Sequence, residues 1–157
     1  MENYLSILED SLRKKLQLLD ELLKYTSQQQ EQLKAQELDY EAFDQLVEKK
    51  EPLIQQIMDL DQGFETVYER VKEQLVDNKS QYATQITTLQ ELITRLTDRS
   101  VRLQAMEQRN KAAVEHALHK SRTKIRDGRR NQQAALNYYK SMNQTNFVPP
   151  QFLDDKK

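Results

Sequence analysis

The chain has no cysteine and no tryptophan, and only two glycines and three prolines among 157 residues. Without cysteine there is no disulfide framework, no thiolate metal site and no thiol nucleophile. Average usage would place roughly 12% of residues in glycine and proline. Here Pro52, Gly63, Gly128, Pro149 and Pro150 are the whole supply. These residue types punctuate turns, strands and phosphate-cradling loops, so their scarcity excludes most kinds of fold and leaves long helix. No run approaches the ~18 apolar residues of a membrane span. The opening MENYLSILED carries an early acidic pair and no apolar h-region, which reads as no secretory signal and a soluble, cytoplasmic protein.

What is present points to thin helical packing. Only 37% of residues are hydrophobic, 31% are charged, and mean hydropathy is −0.91. Such a chain cannot fill a wide globular core, but it can fill the narrow seam of a coiled coil. The expected fold is all-α: an elongated antiparallel helical bundle or coiled coil of about three long helices with a flexible C-terminal tail. Residues 1–127 form the scaffold in this reading, and 128–157 form a partly disordered arm.

In the first stretch Leu5, Leu12, Leu19 and Leu33 share one heptad position, and Leu8 and Leu22 share the next. Leu16 and Leu23 widen the stripe, which suits a helix packed against two partners. The polar run from Thr26 to Gln32 thins the seam and reads as a solvated helix end rather than a special polar layer. A turn near residues 35–39 follows, with Asp39 as N-cap and Glu41 suited to the first-turn dipole. The second stretch keeps helical spacing from Phe43 to Leu75. Pro52 either kinks it or ends a short helix so that a new one begins. Gly63 reads as a point of close approach by a partner within a continuing helix. A polar break at Asp77 and Asn78 leads to a third helix, capped by Asn78 or Ser80 and running to about residue 127. Its length makes its end, from about residue 112, overhang the other two. Residues 129–142 could add a helix of a few turns, marginal alone.

The net charge of −1 conceals an asymmetry. Residues 1–77 hold nine Lys and Arg against eighteen Asp and Glu, and residues 78–157 hold fifteen against seven. Complementary pairing between acidic first and second helices and a basic third accounts for this pattern. Nucleic-acid binding by Lys120, Arg122, Lys124, Arg126, Arg129 and Arg130 is the sharper alternative. The acidic flanks and the lack of a nucleic-acid motif speak against it. That segment also lacks the aromatic or leucine-rich face of a membrane-surface helix. His116 and His119 lie three apart and with Glu115 do not complete a metal site. No cofactor, metal or catalytic group is expected, so the chain reads as a non-enzyme.

One further pattern is familiar. A leucine helix ends in QQQEQLKAQ, followed by Asp39-Tyr40-Glu41-Ala42-Phe43-Asp44-Gln45-Leu46 and then Lys50-Glu51-Pro52-Leu53-Ile54, with Ile57 and Leu60 beyond. Over residues 5–110 this order resembles the FlgN family of flagellar export chaperones, with Pro52 as a departure. The resemblance implies a cytoplasmic helical chaperone that binds hook-associated proteins of the filament junction and delivers them to the flagellar type III export apparatus. The export gate is a further partner it allows, and FliT-type chaperones share the same appearance. Family clients are held by the C-terminal region. By position this implies Val114, Leu118, Ile125, Leu136, Tyr138, Tyr139, Met142, Phe147, Phe152 and Leu153. The tail's aromatic content points the same way, since each buried anchor contributes ~1.5–3 kcal/mol. The alternatives are that 129–142 folds back on the bundle, or that the heptads serve structural self-association.

Overall fold

The computed structural model describes residues 1–120 and 129–142. Among the described residues there are four helices: α1 Glu2–Gln32, α2 Tyr40–Asp77, α3 Ala83–Lys120 and α4 Arg129–Met142. The chain is thus all-α, as its composition requires, but it has a fourth helix where three long helices and a tail were expected.

Local signals set the boundaries. Asp39 caps α2, its carboxylate accepting from the Ala42 backbone N–H at 3.2 Å. Asn78 ends the same helix: its side chain donates to the Gln74 carbonyl at 2.8 Å. Asn78 therefore closes α2 with its side chain rather than capping α3, although its carbonyl accepts from Tyr82. Pro52 does not end α2. It lies on the exposed face beside exposed Glu48, whose carbonyl loses its helical donor but faces solvent.

Helix α1 is the centre. It packs along both α2 and α3, whose own backbones do not approach each other closely. Two heptad rows serve it, one through Leu5, Leu12 and Leu19 and one through Leu8 and Leu22, all buried. Leu18 and Leu23 broaden the buried stripe, as a helix with a neighbour on each side needs. The pairs Lys15–Asp61 and Gln29–Lys50 run α2 antiparallel to α1. Asp20–Arg99 and Thr26–Asn110 run α3 parallel to it. Asn110 meets α1 about two turns before its end, so α3 overhangs that end from about residue 116 rather than 112 and passes it by about one turn at Lys120. Residues 121–127 of the expected helix lie outside the described residues.

Charge complementarity is weaker than its sequence pattern. Among the described residues, Arg99–Asp20 at 2.7 Å joins an acid of α1 to a base of α3 as expected. Lys50–Glu107 joins α2 to α3 with the opposite polarity.

Gly63 is also not a point of close approach. It faces solvent, and a Cβ built there would meet nothing within 4 Å. Its cost is therefore one of helix propensity alone. Gly63→Ala should raise the unfolding free energy by ~1 kcal/mol, seen as a higher urea midpoint with an unchanged slope.

Candidate binding site

Five polar side chains occupy core positions at one level of the bundle. On α1, Thr26 and Gln29 extend the two leucine rows by one heptad, and both are fully buried. On α2, Lys50 shares its row with Phe43, Ile57, Phe64 and Val71, and it is 0% exposed. On α3, Asn110 continues the row of Leu89, Leu96 and Leu103, while Glu107 precedes Val114 in the other. Thr26 and Gln29 of the polar run at the end of α1 therefore belong to a buried layer, not a solvated helix end, while Ser27, Gln28 and Glu31 between and beyond them are exposed. Helix α1 does not fray there because α2 and α3 continue past it on both sides.

Lys50 bonds the layer together, although Thr26 Oγ1 and Glu107 Oε1 find no partner among the described residues. Lys50 Nζ donates to Glu107 Oε2 and to Gln29 Oε1, each at 2.8 Å. Gln29 Nε2 in turn reaches the Phe43 carbonyl at 3.5 Å, and Asn110 Nδ2 donates to the Thr26 carbonyl at 3.2 Å. Helix α4 closes the layer from outside. Tyr138 Oη donates to Glu107 Oε2, and its ring lies over the Lys50 ammonium at 4.5 Å from the centroid. Tyr139 meets Tyr138 edge to face, with centroids 5.0 Å apart.

Burial dominates the electrostatics. Desolvation lowers the Lys50 pKa to about 8, and Glu107 opposes that shift without cancelling it. Burial first, then the Glu107 charge, holds the phenols of Tyr138 and Tyr139 above their usual range. Further along α1, Lys15 is buried and binds Asp61 at 2.6 Å. Burial raises the Asp61 pKa despite that partner.

The residues expected to hold a client fall into three groups. Val114 and Leu118 belong to the α3 side of the core, the first buried and the second partly so. Tyr138, Tyr139 and Met142 are buried on the inner face of α4, and Leu136 is 42% exposed on its outer side. Ile125, Phe147, Phe152 and Leu153 lie outside the described residues, as do Arg122, Lys124, Arg126, Gly128 and the paired prolines. Helix α4 rests chiefly on α2, with a smaller approach to α3. Beside this contact a cavity of about 620 Å³ opens between Glu51, Ile54 and Met58 of α2 and Ala134, Asn137 and Met142 of α4.

Sequence reasoning missed Gln29, Lys50 and Glu107. The signal was available: Lys50 lies seven residues after Phe43 and seven before Ile57, in a row otherwise apolar. Among the described residues no group of three or more His, Cys, Asp or Glu side chains is placed to hold a metal. His116 and His119 are exposed on α3. No helix there is long and apolar enough to cross a membrane.

The arrangement defines a class: a bundle of long helices that holds a short amphipathic helix against its side through a buried polar layer. Comparison places it more narrowly. The family model described as FlgN protein matches residues 1–146, and the chain belongs to the FlgN family. No curated protein and no solved structure matches it.

Two outcomes test the layer. Lys50→Met leaves Glu107 buried without its cation and should cost ~3–5 kcal/mol in urea unfolding. Adding Glu107→Leu should recover a large part of that loss, because the hydrophobic pair strands no charge. The second outcome is pH dependence. Between about 8, where Lys50 titrates in the folded chain, and 10.5, its ordinary value, the unfolded chain binds the extra proton. Stability contributed by this site therefore rises with pH across that window and is flat below it. From pH 7.5 to 9.5 the gain should reach ~2 kcal/mol and be absent in Lys50→Met. Above pH 10 the two phenols, kept protonated by the fold, act in the opposite sense.

Proposed function

We propose that this chain is a cytoplasmic flagellar export chaperone, without catalytic activity. In this reading it binds hook-associated proteins of the filament junction and brings them to the type III export apparatus. The observation that carries the reading is the family match over residues 1–146, which includes the whole of α4. The packing of α4 supports it. A 14-residue helix presents two tyrosines and a methionine on one face, the anchor types that binding sites favour. Residues 128–157 act as the client-binding arm on the 1–127 scaffold, engaging an apolar client helix by helix-in-groove packing. A few anchors at ~1.5–3 kcal/mol each, offset by ordering costs, give a complex that can be undone. Such reversibility is what delivery to an export apparatus demands.

The test is co-purification with hook–filament junction proteins, comparing the full chain with one ending at Asp127. The full chain should capture its client and the truncated chain should bind at least ~10-fold more weakly, a loss of ~1.4 kcal/mol or more. Far-UV circular dichroism checks that α1–α3 remain helical in the truncated chain. Failure of the full chain to hold any hook-associated protein would remove the chaperone reading.

A further inference from the structure

We infer that the bundle side formed by Lys50, Glu107, Ile54 and Met58 is a docking site for an aromatic helix. Its resident occupant is the chain's own α4, which must leave before Tyr138, Tyr139 and Met142 can engage a client. The inference rests on the proposed chaperone role for its second half only.

The site is built rather than incidental. Lys50 is fully buried, and it presents its charge to the Tyr138 ring while Glu107 accepts the Tyr138 hydroxyl. A phenol satisfies both at once, since its ring attracts the cation and its hydroxyl donates to the anion. Phenylalanine would meet the first demand and leucine neither. The apolar part of the contact is supplied by Met142 of α4 and by Ile54 and Met58 of α2 around the cavity.

The occupant is also held imperfectly. Among the described residues, Glu107 Oε1 and Tyr139 Oη are buried and find no hydrogen-bond partner. Each such orphan subtracts from the closed state, because it has given up water for nothing. The cavity beside α4 forfeits further packing on the α2 side. A helix of 14 residues brings little stability of its own. Ala135, Tyr138, Tyr139 and Met142 join the buried core of α1–α3, but the orphans and the cavity make opening of α4 cheaper than unfolding of the bundle. The same three side chains cannot face the bundle and a client together, so every docked molecule is withdrawn from binding.

Amide hydrogen exchange on the full chain tests the first half without any client. The amides of Ala135–Tyr139 should exchange at least ~10-fold faster than those of Leu19–Leu23. Tyr138→Phe should speed them by a further ~10-fold, as loss of a bond to a charged acceptor implies. Exchange of α4 at the rate of α1 would show an integral helix and overturn the proposal. For the second half, Gln55 of α2 and Asn137 of α4 both line the cavity, so Gln55→Cys and Asn137→Cys place the chain's only two thiols on its two sides, to be bridged by a short cleavable bis-maleimide. Binding of a purified hook–filament junction protein should fall at least ~10-fold on bridging and return on cleavage. Equal binding by bridged and cleaved forms would overturn it. If the unbridged chain binds no such protein, the chaperone reading fails while the exchange measurement still decides whether α4 opens.

Discussion

Everything in the upper half of this molecule depends on one buried ammonium. Lys50 is enclosed in the row of Phe43 and Ile57, where an unpaired charge could not survive. Its neighbours come from each of the other helices: Gln29 from α1, Glu107 from α3 and the ring of Tyr138 from α4. Sliding any one of these helices by a single turn, ~5.4 Å, would take its contact out of reach. The cation thus ties four helices to a common level.

The leucine seams cannot do this alone. Burial of Leu8, Leu19, Leu22, Leu89, Leu96 and Leu103 supplies most of the driving force, but these residues recur at heptad intervals. A shift by one heptad, ~10.5 Å, would set leucine on leucine again at little cost. Polar residues at core positions break that degeneracy, because only one register pairs them. The layer costs stability relative to an apolar one, and in exchange the register is single. Lys15–Asp61 repeats the device farther along the α1–α2 seam.

Much of this was legible in the sequence. The first two helices, the Asp39 cap, the turns flanking α2 and the double-sided character of α1 all follow from heptad spacing and from polar breaks in it, with no glycine or proline at either turn. The misreadings have two causes: polarity was taken as exposure, and a glycine was taken as a contact. Thr26 and Gln29 looked like a solvated end because their environment is set by α2 and α3, more than a turn of chain away. Gly63 looked like a contact because spacing does not state which face of a long helix meets solvent at a given turn. The inner face of α4 was named through Tyr138, Tyr139 and Met142. What they face, however, depends on a pairing 31 residues distant in the chain, between Tyr138 and Glu107.

The parallel packing of α3 on α1 has a consequence for how the chain is born. Translation delivers α1 and α2 first, and they pair as a hairpin of nearby segments that closes early. At that stage Glu107 has not yet been synthesised, so the Lys50 ammonium stands on the open edge of the hairpin and keeps its water. Arrival of α3 strips that water and supplies the counter-ion in one event, and α4 seals it last. The least forgiving charge in the protein is therefore dehydrated only when its partner is in hand.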